Sequence, residues 1–158
     1  MPVQEIHGHL DGKGKRFAIA LTRFNDLITE RLLAGAIDAV AQQGVDEASI
    51  TVVRVPGAFE LPLTCRWLAD SGDHDAVIAL GAVIRGATTH YDHVCGQAAR
   101  GVLDAGVSSG RPVSFGVLTC ETQDQALERA GSKAGNKGWD AALAALEMVQ
   151  LGARIRGS

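Results

Sequence analysis

Short apolar runs alternate with amphipathic helical patterns along most of this chain, and this alternation restricts the fold more than any other feature. Four runs have the length and the β-branched content of buried strands. They are Phe17–Leu21, Ile50–Val55, Ala76–Leu80 and Val113–Leu118. Strands that are apolar on both faces and separated by helices predict a parallel sheet covered on both sides. We therefore predict one α/β domain over residues 1–158, a three-layer sandwich with a central four-stranded parallel sheet.

Helical patterns fill the segments between these strands and follow the last one. They run from a cap at Asn25 or Asp26 to Gly44, from Glu60 to Ser71, from a cap at Thr88 or Thr89 to about Gly106, from a cap at Thr122 to just before Gly131, and from about Asn136 past Leu151. With right-handed crossovers this arrangement is typical of flavodoxin-like folds, although the sequence leaves the strand order open. Residues 1–15 are polar and glycine-rich, and we expect either a flexible N-terminal arm or one short edge strand.

The charge balance and the absence of long apolar runs exclude several classes of function. The chain carries 15 Lys and Arg against 18 Asp and Glu, a net charge of −3. Proteins that bind nucleic acid or anionic membranes usually show a basic excess, so we predict neither partner. No run approaches the roughly 18–20 apolar residues of a membrane span, and no signal-peptide pattern is visible, so we expect a cytoplasmic protein. Cys65, Cys95 and Cys120 form no Cys-x-x-Cys pair, which is typical of reduced, buried thiols.

Candidate binding residues follow the ends of the predicted strands, where ligands bind in sheets of this kind. The segments are 22–25, 56–60, 81–90 and 119–122. Phe24 offers a flat surface on which a heterocycle can stack, although an aromatic residue here can also belong to the core or to a lid. Gly57 and Ala58 let a ligand approach the backbone. Glu60 either accepts hydrogen bonds from hydroxyl groups or only complements the start of a helix.

Residues 81–90 are the richest of these segments. Small residues and two threonines precede a predicted helix there, where free backbone N–H groups and the helix dipole favour phosphate. His90 would lie in the first turn beside that anion, and histidine ionises near neutral pH and can transfer protons. The alternative is a helix cap followed by a surface histidine. His93 could share a helix face with His90, but no third ligand is evident, so we predict no metal site.

A second candidate for anion binding follows the fourth strand. Arg129, Lys133 and Lys137 are close in sequence. A guanidinium group can give a phosphate two parallel hydrogen bonds. A solvated basic loop between two helices is the alternative.

Five segments of the chain occur in the order found in one enzyme family. They are Phe24-Asn25, residues 55–62 (VPGAFELP), residues 81–92 (GAVIRGATTHYD), residues 115–119 (FGVLT), and residues 129–138, which contain RAG and AGNKG. Over roughly residues 16–151 the chain resembles the lumazine synthases. That resemblance implies a transferase that condenses 5-amino-6-(D-ribitylamino)uracil with 3,4-dihydroxy-2-butanone 4-phosphate in riboflavin biosynthesis. A Schiff base forms, phosphate and water leave, and neither a cofactor nor a metal is needed.

The resemblance also implies a role for each matched residue. His90 would transfer protons. The pyrimidine and its ribityl chain would bind to Phe24, Ala58, Phe59, Glu60, Ala82, Val83, Ile84, Phe115 and Lys137, and the phosphate would bind to Ala87, Thr88 and Arg129. Phe115 and Arg129 would enter each site from a neighbouring subunit.

The same resemblance implies a homo-oligomer, because lumazine synthases form pentamers and some pack these into a hollow icosahedral shell. Members that stop at the pentamer often carry extra residues between the last two helices. Here Asn136-Lys137-Gly138 runs straight into Trp139, which favours the shell-forming type. Val3–Ile6 could add a strand to a neighbour's sheet, and riboflavin synthase is a candidate partner. Two other functions stay open: a flavin- or nucleotide-binding module without catalysis, and a shell protein that has lost activity.

Overall fold

Residues 2–132 and 135–157 are described in a computed structural model of the chain. Five helices are described: α1 (Asp26–Gln42), α2 (Leu61–Asp70), α3 (His90–Ser109), α4 (Gln123–Arg129) and α5 (Lys137–Arg156). They alternate with the strands β1 (Phe17–Thr22), β2 (Ile50–Val55), β3 (Ala76–Ile84) and β4 (Val113–Cys120), and the small antiparallel pair β5 (Ala130–Ser132) and β6 (Gly135–Asn136) joins α4 to α5. Short 3-10 helices, Glu47–Ser49 and Ala58–Glu60, precede β2 and α2.

The four long strands form one parallel sheet in the order β2-β1-β3-β4. Phe17 at the start of β1 pairs with Ile50 on one side and with Ala76 on the other. The predicted three-layer α/β sandwich is therefore confirmed. The strand order, which the sequence left open, places the crossover reversal between β1 and β3, where flavodoxin-like folds bind their ligands.

Two hydrophobic cores lie on the two faces of this sheet. One lies beneath α1 and α5, and its largest side chains include Ile19, Leu21 and Leu146. The other lies beneath α2 and α3, where Ala18 and Ala20 of β1 present small side chains. β1 is buried along its whole length. A strand buried on both faces favours apolar residues on both, which is why residues 17–21 show no polar alternation and only Thr22, at the carboxyl end, is polar.

Several boundaries differ from the sequence-based prediction. Strand β3 continues to Ile84 because residues 82–84 pair with residues 118–120 of β4. Helix α3 ends at Ser109 instead of near Gly106, and Gly110, whose φ is 72°, closes it in the left-handed conformation. The β5–β6 pair was not predicted, since strands this short show no periodicity.

Within one chain the N-terminal segment does not form the edge strand that was one of its two predicted states, and the addition of Val3–Ile6 to a neighbour's sheet stays a prediction. Residues 2–16 contain no strand. The segment instead lies against its own chain: Gln150 Nε2 on α5 donates to the Asp11 carbonyl oxygen at 2.6 Å. The Gly12 N–H donates to the Gln43 carbonyl oxygen at 2.8 Å. The sheet of this chain accordingly has four strands.

Candidate active site

The carboxyl ends of β1 and β3 open into a cleft of about 590 Å³, here called the β1–β3 cleft. Most of the predicted site residues line it: Phe24, Ala58, Phe59, Glu60, Ala82, Val83, Ile84, Thr88 and His90. Ala87 is exposed between two lining residues, Gly86 and Thr88. Three segments that are far apart in sequence therefore meet at the strand-order reversal of the sheet.

The turn after β1 presents Phe24 to this cleft. The ring is 71% exposed, so Phe24 is not a core residue, and its face is available for stacking. The next residue, Asn25, has a φ of 62°, a left-handed conformation that asparagine tolerates better than most residues. Asn25 was predicted to cap α1, but its side chain makes no capping hydrogen bond among the described residues. Its Nδ2 donates to the Ala82 carbonyl oxygen at 3.2 Å and ties the turn to β3.

Glu60 lies at the start of α2 on the other wall of the cleft. Within the described chain its carboxylate makes no capping hydrogen bond, although Glu60 occupies the N-cap position. Its backbone carbonyl accepts a hydrogen bond from Thr64 Oγ1 at 2.9 Å. The geometry therefore fixes the backbone of Glu60 and leaves the carboxylate available as an acceptor for hydroxyl groups of a ligand.

The loop between β3 and α3 has the features of an anion site. Gly86, Ala87, Thr88 and Thr89 are exposed, and His90 is the first residue of α3. Thr88 Oγ1 accepts a hydrogen bond from the His90 N–H at 3.4 Å, whereas Thr89, at the N-cap position, makes no capping hydrogen bond through its side chain in the described residues. The positive end of the helix dipole and the loop N–H groups favour an anion beside His90.

Phe115, Arg129 and Lys137 lie elsewhere, in a second cleft of about 440 Å³ between β4 and α5, here called the β4 cleft. Arg129 is held by a hydrogen bond from its Nη1 to the Gln125 carbonyl oxygen at 3.0 Å. Lys137 Nζ lies 3.7 Å from the Asp140 carboxylate. Lys133, also predicted to bind an anion, lies outside the described residues. One chain thus carries the predicted site as two separate parts.

The prediction of reduced, buried thiols is confirmed for two of the three cysteines, since Cys95 is only partly buried. Cys65, Cys95 and Cys120 are free, and Cys65 and Cys120 are buried. Burial raises the pKa of the Cys65 thiol to about 12. Burial also raises the pKa of Cys120, which lines the β4 cleft, although the nearby Arg129 partly opposes that shift. A thiol with a raised pKa is a poor nucleophile at neutral pH.

Metal-binding clusters and membrane-spanning helices are both absent from the part of the chain that the structure describes. No group of three or more His, Cys, Asp or Glu side chains in residues 2–132 and 135–157 is arranged to hold a metal ion. None of the helices in those ranges is long and apolar enough to cross a membrane.

Comparison with known proteins identifies the family of this chain. A model of the 6,7-dimethyl-8-ribityllumazine synthase family matches residues 14–153. The chain belongs to that family. A 6,7-dimethyl-8-ribityllumazine synthase of Desulfatibacillum aliphaticivorans is 52% identical over 151 residues, which cover 96% of this chain and 97% of the relative. One of Desulfovibrio desulfuricans is 52% identical over 149 residues, 94% of this chain and 96% of the relative. As a lumazine synthase family member, the chain is a transferase of riboflavin biosynthesis.

Sequence reasoning missed two residues of this lumazine synthase cleft. Asn25 belongs to the candidate segment 22–25, but its only assigned role was that of a helix cap, and its bond to the Ala82 carbonyl depends on a contact 57 residues along the chain. Tyr91, which lines the cleft, received no role. It is the chain's single tyrosine and stands beside His90, and this composition signal could have drawn attention to it.

Proposed function

We propose that this chain condenses 5-amino-6-(D-ribitylamino)uracil with 3,4-dihydroxy-2-butanone 4-phosphate, and that each active site is completed by two copies of the chain. The observation that carries the proposal is the division of the site residues. The β1–β3 cleft offers a stacking ring, an acceptor carboxylate and an anion loop beside a histidine. The β4 cleft offers an aromatic ring and two cations. A neighbour's β4 cleft placed against the β1–β3 cleft would unite these groups.

In this arrangement the pyrimidine stacks on Phe24, and its edge meets the backbone of residues 82–84 at the end of β3. Glu60 and the backbone at Ala58 and Phe59 hold the ribityl chain. The neighbour's Phe115 closes the pocket over the rings. The half-exposed state of Phe115 in a single chain, 40%, is consistent with a ring that is covered only on assembly.

The phosphate of the second substrate binds at Ala87 and Thr88, with Arg129 and Lys137 of the neighbour opposite. The amine of the pyrimidine then attacks the carbonyl carbon of the butanone phosphate, and loss of water forms the Schiff base. Phosphate leaves after a proton is removed from the sugar-derived carbon, and ring closure releases a second water. His90, beside the anion loop, is placed to accept and return these protons.

One assay distinguishes catalysis from the two alternatives, a binding module without catalysis and an inactive shell protein. Purified protein is mixed with both substrates, and lumazine fluorescence and phosphate release are followed together. We expect lumazine and phosphate to form in equal molar amounts. When either substrate is omitted, neither product should form faster than it does without the enzyme. Binding of a flavin or pyrimidine without phosphate release would support the binding module. Assembled particles without turnover would support the inactive shell protein.

Replacing Arg129 by alanine is expected to raise the KM for the butanone phosphate more than the KM for the pyrimidine. A charge-assisted hydrogen bond contributes about 1.5–3 kcal/mol, so the KM should rise roughly tenfold or more. Steady-state kinetics with each substrate varied in turn measures both constants. Arg66→Ala, which removes an arginine of an exposed ion pair on α2, is the matched control and should leave both constants unchanged. An equal effect of Arg129→Ala on both substrates would argue against a phosphate role.

We expect the assembly to be a shell of pentamers. The connection between α4 and α5 is short, and the Asn136 side chain holds it in place: its Oδ1 accepts from the Trp139 N–H at 3.1 Å, and its Nδ2 donates to the Arg31 carbonyl oxygen at 3.0 Å. Light scattering and negative-stain microscopy should show closed particles. Pentamers alone, across a range of pH and phosphate concentration, would show the shell prediction to be wrong. A cytoplasmic location and an association with riboflavin synthase stay predictions.

A further inference from the structure

Arg85, at the end of β3, joins three parts of the molecule that surround the anion loop. Its Nη2 lies 3.0 Å from Asp92 Oδ1 in the first turn of α3. Its Nε lies 2.7 Å from Glu121 Oε2, between β4 and α4. Its guanidinium carbon stands 4.4 Å from the centre of the Tyr91 ring. The arginine is therefore bound on both sides by carboxylates and against one face by an aromatic ring.

These contacts bracket the loop that carries the phosphate-binding groups. Residues 86–89 lie between Arg85, which precedes them, and Tyr91 and Asp92, which follow. The backbone of Arg85 is itself fixed, because its N–H donates to the Cys120 carbonyl oxygen at 2.9 Å. An ion pair from the fixed end to the first turn of α3 limits how far the ends of the loop can separate.

The same arginine reaches the element that carries Arg129. Glu121, its second partner, donates its backbone N–H to Gln125 Oε1 at 2.9 Å. The carbonyl oxygen of Gln125 in turn accepts a hydrogen bond from Arg129 Nη1. A continuous chain of contacts thus runs from the anion loop of one cleft to the guanidinium group of the other.

We propose that Arg85 is a positioning residue that holds the anion loop in its phosphate-binding shape and links that loop to Arg129. This inference rests on the proposed function, because it assigns the loop to the butanone phosphate. Arg85 does not line the β1–β3 cleft in the described residues and acts through Asp92, Tyr91 and Glu121. A planar guanidinium is suited to this role because it can bond two carboxylates at once while stacking on a ring.

The two ion pairs are exposed, with the Arg85 side chain 39% accessible, and such pairs contribute little to overall stability. The effect of losing them should therefore appear in ligand binding and not in the melting temperature. Weaker phosphate binding at an unchanged melting temperature would distinguish a positioning role for Arg85 from a purely structural one.

The test compares Arg85→Gln, Arg85→Lys and the control Arg66→Gln in the full-length assembled protein. Arg66 forms a comparable exposed pair with Asp70 on α2, with its Nε 2.6 Å from the carboxylate. The measurements are the Kd for inorganic phosphate by calorimetry, both KM values and the melting temperature. Arg85→Gln should weaken phosphate binding and raise the butanone phosphate KM roughly five- to tenfold, with the pyrimidine KM changed less than about twofold. Arg85→Lys, which keeps the charge but not the fork, should fall between Arg85→Gln and the wild type.

A double-variant comparison identifies the path of the effect. If Arg85 acts through Asp92, then adding Asp92→Asn to Arg85→Gln should cause little further loss, because both changes break the same contact. A folded Arg85→Gln protein with unchanged phosphate Kd and butanone phosphate KM would overturn the proposal. So would equal losses for both substrates, or the same losses in Arg66→Gln.

The outcome also separates this inference from the proposed function. A wild-type protein that binds inorganic phosphate but makes no lumazine would refute the proposed reaction, and the phosphate Kd of Arg85→Gln would still decide the role of Arg85. A wild-type protein that makes lumazine but binds no inorganic phosphate would overturn the role of Arg85 in phosphate binding and leave the proposed reaction standing.

Discussion

Replacing His90 by alanine is expected to lower kcat about a hundredfold while the fold is retained, which is the low end of the usual contribution of a general acid or base. We expect the low end because the resemblance to the lumazine synthases implies a condensation that also proceeds slowly without the enzyme. His90 is exposed at the first residue of α3 and lines the β1–β3 cleft, so its imidazole can be removed without leaving a hole in either core. Stopped-flow or steady-state fluorescence of the lumazine gives kcat directly.

His93→Ala is the matched control for this experiment. His93 is also exposed on α3, one turn further along, and it does not line the cleft in the described residues. Its replacement should leave kcat unchanged, and circular dichroism should show both variants folded. Wild-type turnover in the His90→Ala enzyme would contradict the assignment of proton transfer to His90.

Replacing Gly138 by alanine is expected to destabilise the fold by about 1–3 kcal/mol, the usual cost of forcing extra volume into a packed interior. Gly138 lies in the first turn of α5, where α5 crosses α1. A Cβ at this position would lie 2.1 Å from the carbonyl oxygen of Leu32. A backbone atom cannot move aside as a flexible side chain can, so the two helices would have to separate. The loss should appear as a lower melting temperature and a lower denaturant midpoint.

The direction of this effect is opposite to the one that helix propensity predicts. Gly96 lies within α3 with open space around its missing Cβ. Gly96→Ala should therefore stabilise the protein by up to about 1 kcal/mol, because alanine favours the helix over the unfolded chain. If Gly138→Ala also stabilised the protein, that result would contradict the close packing of α5 against the backbone of α1.

Much of this site could be predicted because its residues lie at the junctions between elements. A strand such as β3 is apolar on both faces. The small residues and threonines that follow it end that apolar pattern, so the sequence itself marks the end of the strand. His90 and Thr88 stand at such a junction, and the structure places both in the β1–β3 cleft. Thr122 was correctly predicted to cap α4, since its Oγ1 accepts from the Gln125 N–H at 3.1 Å. Capping depends on neighbours in sequence, which a sequence displays directly.

The sequence by itself determined the fold class, the number of main strands and the family, because hydrophobic periodicity and ordered motifs are local properties of the chain. Only the tertiary structure decided the strand order and showed that Lys137 lines the β4 cleft with Phe115 and Arg129, away from the β1–β3 cleft. It also decided contacts such as Asn25 to Ala82 and Arg85 to Glu121, which join residues far apart along the chain. The strand order and these long-range contacts depend on which strands become neighbours. The free energy that favours one packing arrangement comes from apolar burial summed over both faces of the sheet. No single segment carries that information, so it becomes visible only when the layers are assembled.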